Sequence, residues 1–242
     1  MPIVVENGIE IGNGITIESG TVVDPNLVLE LRAQDYIGSG STWNARVGSN
    51  ATLFNNPSHT NITPYYLNFN PNSFQYASVP NLGTLNQWTI DSWFSTNTMN
   101  GRVTYIVGNQ YNGSSSINFG LGTMNAPTNY NVAVGLFENG WQTTQGLNIG
   151  SSSNPFLITG TFDGNTITQY FNGYPYAFNT RNYSGPTFSG GEVRIARRWD
   201  GANNDPTNFF QGSISVVRIW NIARSAAAIE ATFLAERSAY NV

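Results

Sequence analysis

From Leu27 to Trp220 the chain alternates short apolar or aromatic runs with clusters of Asn, Gly, Ser and Pro. Turn residues at such short intervals leave no room for helices but suit antiparallel strands joined end to end, the pattern of a two-layer sandwich. Strands are expected over 27–32, 65–70, 74–79, 88–94, 103–108, 117–121, 132–137, 156–162, 166–172, 192–197 and 214–220. The stretch 34–63 reads mostly as a long loop, pinned to the sandwich by Trp43 and Phe54. One helix is expected, opening on Ser225 as N-cap, with Ile229 and Phe233 on one face and Arg237 in its last turn, closing an end of the sheet. With no cysteine, packing and ladder hydrogen bonds must stabilise this fold unaided.

Before Asp24-Pro25 the pattern changes. Ile3-Val-Val-Glu-Asn-Gly8, Ile9-Glu-Ile-Gly-Asn-Gly14 and Ile15-Thr-Ile-Glu-Ser-Gly20 are six-residue repeats, each with apolar residues at its first and third places. Each reads as a short strand with one apolar face and a turn at its closing Gly. So few short strands cannot bury an apolar face alone. Residues 1–24 are therefore expected to form an anchor or oligomerisation segment separate from a sandwich over 25–242. In it Ile9, Ile11, Ile15 and Ile17 pack against another chain, with a trimer as one symmetric solution; the alternative is a hairpin folded back on its own sandwich.

Only 10% of the 242 residues are charged, every cation is Arg, and the net charge is −4. Basic residues scattered singly cannot neutralise a phosphate backbone, so nucleic acid is not an expected partner. No apolar run reaches the roughly 18 residues of a spanning helix, so membrane insertion is not expected, nor is a secretory signal.

Several segments together resemble the concanavalin A-like, laminin-G-like superfamily. They are Trp88-Thr-Ile-Asp-Ser-Trp-Phe94, Gly160-Thr-Phe-Asp-Gly164 with Tyr170-Phe-Asn-Gly173, Val193-Arg-Ile-Ala-Arg-Arg-Trp-Asp-Gly201, and Phe210-Gln-Gly-Ser-Ile-Ser-Val-Val-Arg-Ile-Trp-Asn-Ile-Ala-Arg-Ser225. The resemblance implies an all-β antiparallel jelly-roll sandwich, here with an N-terminal β hexad-repeat extension and one C-terminal helix. Gly38-Ser-Gly-Ser-Thr-Trp43, Arg197-Arg-Trp-Asp-Gly201 and the glycine-punctuated leader look like modules of tailed-phage structural proteins, cyanophage ones especially. They imply a virion-surface protein, made in the host cytoplasm, that decorates the capsid or forms part of a fibre with other virion proteins as partners; the alternative is a receptor-binding lectin that takes host-surface glycan. The sequence departs from the family at Asn70-Pro-Asn-Ser-Phe-Gln-Tyr76 and at Ser215-Val216, where acidic residues are usual, so the family's calcium site is not expected.

Glycanases need two carboxylates flanking one bond, about 5–10 Å apart. Acids two or four apart occur only as Glu6 and Glu10 in the leader, whereas Asp91, Glu138, Asp163 and Glu192 stand alone, so no enzymatic activity is expected. His59, the sole histidine, reads as a solvent-facing loop residue. Asp200 and Asp205 form a weak candidate calcium site against the alternative of an ordinary turn; no other cofactor is expected. Trp88, Trp93 and Trp220 sit in strand patterns and belong to the core. Trp141, Trp199, Tyr111 and Asn112 lie in loop chemistry, where rings and amides at one end of the sandwich contact a glycan or neighbouring protein, or pack on their own loops.

Overall fold

In the computed structural model, the described residues are 9–11, 15–17, 24–96, 104–109, 118–124, 131–137, 141–149, 152–180, 188–189, 191–198 and 205–242. Among these residues two antiparallel sheets of nine strands each face one another; Tyr66–Phe69, on Gly212–Trp220, and Ser58–Thr60 beside it complete the first, and Leu147–Asn148, on Asn131–Phe137, completes the second. The first runs, edge to edge, through Tyr174–Thr180, Thr166–Phe171, Ser152–Phe162, Trp88–Thr96, Gly212–Trp220, Leu27–Arg32 and Ala45–Val47. The second runs through Trp141–Thr143, Asn131–Phe137, Asn118–Met124, Thr104–Asn109, Val193–Ile195, Tyr76–Val79, Ala51–Phe54 and Thr42–Trp43.

Alternation along the strands builds the core. Leu53, Ala77, Ile195, Val107, Leu121 and Val134 succeed one another across the second sheet's inner face, each buried. Ile90, Phe94, Ile158, Phe162, Ile214, Val217 and Ile219 meet them from the first sheet. The layers are so close at Gly160 that an added Cβ would lie 2.5 Å from Val134 Cγ1. Trp88 and Trp93 are fully buried and Trp220 nearly so, as expected of core residues.

The turns follow their local chemistry. Asp163 Oδ1 accepts from the backbone N–H groups of Asn165 and Thr166 at one hairpin. At the next, Asn172 and Gly173 have φ of 47° and 84°, the left-handed pair that a two-residue Asn-Gly hairpin requires.

The stretch 34–63 is not a loop. It carries the strands Thr42–Trp43, Ala45–Val47, Ala51–Phe54 and Ser58–Thr60, too short for a sequence pattern to separate from turns. Trp43 does pin it, fully buried with Nε1 donating to the Arg32 carbonyl. Phe54 does not: Ala51 and Leu53 take the inward places, leaving Phe54 on the outer face stacked on Tyr76. His59 is also not a solvent-facing loop residue, since it lies within Ser58–Thr60, half-buried and edge-on to Tyr36.

The helix spans Ala226–Glu236, with Ser225 Oγ accepting from Ala228 N as its cap. It does not close a sheet end but lies on the first sheet's outer face. There Phe233 and Tyr240 stack on Trp93, at centroid distances of 5.9 and 3.9 Å, beside Leu157 and Val216. Arg237 follows the last helical residue.

The helix is clamped by charge. Arg218 donates Nε to Asp91 and both terminal nitrogens to Glu236, each at 2.8 Å; Arg32 and Trp93 Nε1 also donate to Glu236. Burial alone would raise the Glu236 carboxyl, but the Arg218 and Arg32 charges and these hydrogen bonds outweigh it and hold it at about 2.

Residues Ile9–Ile11 and Ile15–Ile17 pair with each other as an antiparallel hairpin and, among the described residues, form a two-stranded sheet of their own. Its register sets Ile9 opposite Ile17 and Ile11 opposite Ile15, which puts four isoleucine positions on one face and Glu10 and Thr16 on the other.

Candidate functional site

The outer face of the second sheet is built from the positions between the core residues. Following one row across seven strands gives Thr52, Ser78, Arg194, Gly108, Gly120, Gly135 and Thr143. Three adjacent strands thus place glycine at the same level. Glycine inside a strand weakens it and marks a place where something approaches the main chain closely. The next row holds Tyr105, Gly122 and Ala133, again small in two of three places. Gly108, Gly135, Tyr105 and Ala133 are all buried. In the row on the other side, Asn118 pairs with Phe137 and Phe137 with Trp141.

At the opposite end of the glycine row the face becomes cationic. Arg194 pairs with Glu192, whose second oxygen accepts from Ser78 Oγ. Ile195 then points into the core, and Ala196, at φ 65°, adopts a left-handed conformation uncommon for a residue with a side chain. This kink breaks the alternation and brings Arg197 onto the same outer face as Arg194, where both guanidinium groups lie over the Tyr76 ring. Phe209 covers Arg197 from a second side, with Cζ 4.9 Å from its ring centre.

Of the residues singled out in the sequence, Trp141 opens the strand Trp141–Thr143 beside the glycine rows. Trp199, Tyr111, Asn112 and Asp200 lie outside the described residues. Asp205 caps the 3-10 turn Pro206–Asn208, its Oδ1 accepting from Thr207 N, which is ordinary turn chemistry. Among the described residues no three His, Cys, Asp or Glu side chains gather as a metal site would need. Sequence reasoning missed the glycine rows, although glycine inside the strand patterns Ile106-Val-Gly108 and Phe119-Gly-Leu-Gly122 was a usable signal. In the sequence Arg197 and Arg198 stand out only through the resemblance.

Residues 71–230 match the family model described as the concanavalin A-like lectin/glucanases superfamily. The chain belongs to that superfamily. Its sandwich is therefore lectin-like in fold, and solved structures agree. The sialidase of Trypanosoma rangeli is similar at 14% identity and TM-score 0.62, over 93% of this chain but only 35% of the sialidase. Domain 4 of AbnA, a GH43 extracellular arabinanase from Geobacillus stearothermophilus solved with arabinotriose, is similar over 85% of this chain and 97% of that domain, at 12% identity and TM-score 0.64. The binding domain of Paraclostridial Mosquitocidal Protein 1 aligns over 86% of this chain and 52% of its own, at 15% identity and TM-score 0.64. At such identities the likeness is one of fold. No curated protein matches the chain.

Proposed function

We propose that this superfamily member is a non-enzymatic component of a tailed-phage virion surface, held by residues 1–24 to a neighbouring virion protein or to copies of itself, with its sandwich displayed to host-surface glycan. The observation that carries the reading is the N-terminal hairpin, which pairs with neither sheet of the sandwich and has four isoleucine positions on one face. A lone two-stranded hairpin is marginal in water, so a partner surface is what would stabilise it. The phage setting rests on the resemblance of the leader and of the Arg197 to Gly201 segment to virion modules.

Placement of the described carboxylates named here supports a non-catalytic role. Asp91, Glu30 and Glu236 are tied up in ion pairs beneath and beside the helix, Asp35 binds Arg46, and Glu192 binds Arg194. Asp163 and Asp205 hold turns. Immunogold labelling of intact particles with an antibody to the sandwich should decorate the capsid or tail surface. Purified particles that lack the chain would overturn the reading.

Glycan recognition is favoured by the lectin-like fold and by the place of Trp141 on the edge strand Trp141–Thr143, because an aromatic ring is a platform for a sugar. Trp141→Ala should weaken binding to host polysaccharide by about 2 kcal/mol, roughly thirtyfold, with an unchanged melting temperature. Titration showing wild-type affinity in that variant would remove the glycan reading and leave the display role to protein contacts.

A further inference from the structure

Among the described residues Tyr174–Thr180 is an edge strand of the first sheet, and Tyr174, Tyr176 and Phe178 stand out from it, 50%, 42% and 74% exposed. Register sets the way the strand faces. Ile167 is buried in the core and Gln169 Nε2 reaches inward to the Val132 carbonyl at 3.1 Å, so Thr168 between them points outward. Phe178 is paired with Thr168 and shares its face, as Thr180 does with Thr166, their Oγ1 atoms 3.4 Å apart. Tyr174 meets the helix residue Phe233 edge-on at 6.2 Å, on the same outer side. Thr180 is exposed and Thr166 and Thr168 are partly so, which makes this corner of the sheet an open surface of rings interspersed with hydroxyls.

Exposed aromatic residues on a strand edge invite a partner, and the local structure narrows which one. The edge is closed to an added strand over its first half, because Pro175 has no N–H to offer and the register shifts between Gln169 and Tyr170, opposite Pro175 and Ala177. The contact must therefore be made by side chains. At roughly 200 Å² per aromatic residue, the three exposed fractions amount to about 330 Å². That is less than half of the roughly 800 Å² that a stable protein interface takes from each partner, but it suits a few sugar rings. From Thr166 to Thr180 no residue carries a charge, so these two strands offer no complement to an acidic or basic ligand. A sugar ring has an apolar C–H face and a rim of hydroxyls, which match the ring faces and the threonines in turn. The row from Tyr174 to Phe178 is about 13 Å long at the rise of a strand and follows one line, which an extended chain can track and a coiled one cannot.

We propose that Tyr174, Tyr176 and Phe178 form a platform for an uncharged polysaccharide whose equatorial linkages keep it extended along the edge strand. The inference rests on the glycan reading above and gives that ligand a chemical class and a seat. The platform also adjoins the strand that Trp141 opens, since Asn179 Nδ2 donates to the Thr143 carbonyl at 2.8 Å and so ties the edges of the two sheets together.

The test is calorimetric titration of the full chain with cellohexaose and with maltohexaose, built of the same glucose units but linked equatorially in the first and axially in the second. Cellohexaose should bind at least about fivefold more tightly, and its affinity should not change with salt. Phe178→Ala and Tyr176→Ala replace exposed side chains and should leave the melting temperature unchanged, while each weakens cellohexaose about fivefold, within the range of one ring contact. Phe178→Trp should keep the affinity. Equal affinity of the two hexamers for the wild type would overturn the extended chain as the ligand. Cellohexaose bound as tightly by both alanine variants as by the wild type would overturn the platform and leave the glycan reading to Trp141. Sedimentation that shows a dimer which Phe178→Ala dissolves would put a second copy on the patch and overturn the proposal. Binding of neither hexamer would overturn the inference alone if host polysaccharide still binds, and the glycan reading with it if host polysaccharide does not.

Discussion

Replacing Arg218 by leucine is expected to lower the free energy of unfolding by about 3–5 kcal/mol, because it removes the only described cation contacting Asp91 and two of the hydrogen bonds to Glu236. Arg218 and Asp91 are 6% and 1% exposed, so water cannot replace what is lost. The attraction of Asp91 and Glu236 outweighs burial and raises the Arg218 guanidinium above its ordinary value, the signature of a cation that its partners need. Chemical denaturation of the variant measures the loss. The double variant Asp91→Leu with Arg218→Leu should recover part of it, since removing both buried charges costs less than stranding one. A single variant within about 1 kcal/mol of wild type would show that the clamp does not hold the helix to the sheet.

The same clamp sets the acid response. Glu236 is held at about 2, below its ordinary value, so its contribution is fully present above the usual carboxylate range and is lost as pH falls through that range towards 2. In Arg218→Leu this acid-sensitive component should shrink, which separates loss of the ion pairs from loss of packing.

None of this network was legible in the sequence. Asp91, Arg218 and Glu236 come from a central strand, another strand and the helix, and they meet across separations of 127 and 18 residues. Local spacing carries no trace of such a meeting, so Asp91 read as a solitary acid. Period-two alternation, in contrast, is imposed strand by strand, which is why the long strands and the Asn-Gly hairpin were readable from residues alone. It failed over 34–63, where strands of two to four residues offer too few alternations, and at Tyr174–Thr180, an edge strand exposing Tyr174, Tyr176 and Phe178.

The candidate site divides in the same way. Trp141 stood out because a tryptophan beside Asn139-Gly140 is chemically conspicuous. The glycine rows were invisible because Gly108, Gly120 and Gly135 become neighbours only once three strands are in register. Arg197 gains its place from the left-handed turn at Ala196, a backbone conformation that the residue type itself disfavours.

On the proposed reading, a separate N-terminal hairpin displays the folded sandwich. Deleting residues 1–23 removes Ile9, Ile11, Ile15 and Ile17 while sparing every strand of both sandwich sheets. The truncated chain should therefore melt at the same temperature as the full chain. Added to particles that lack the full chain, it should remain in the supernatant when the particles are sedimented. Truncated protein that still sediments with the particles at the stoichiometry of the full chain would contradict the account.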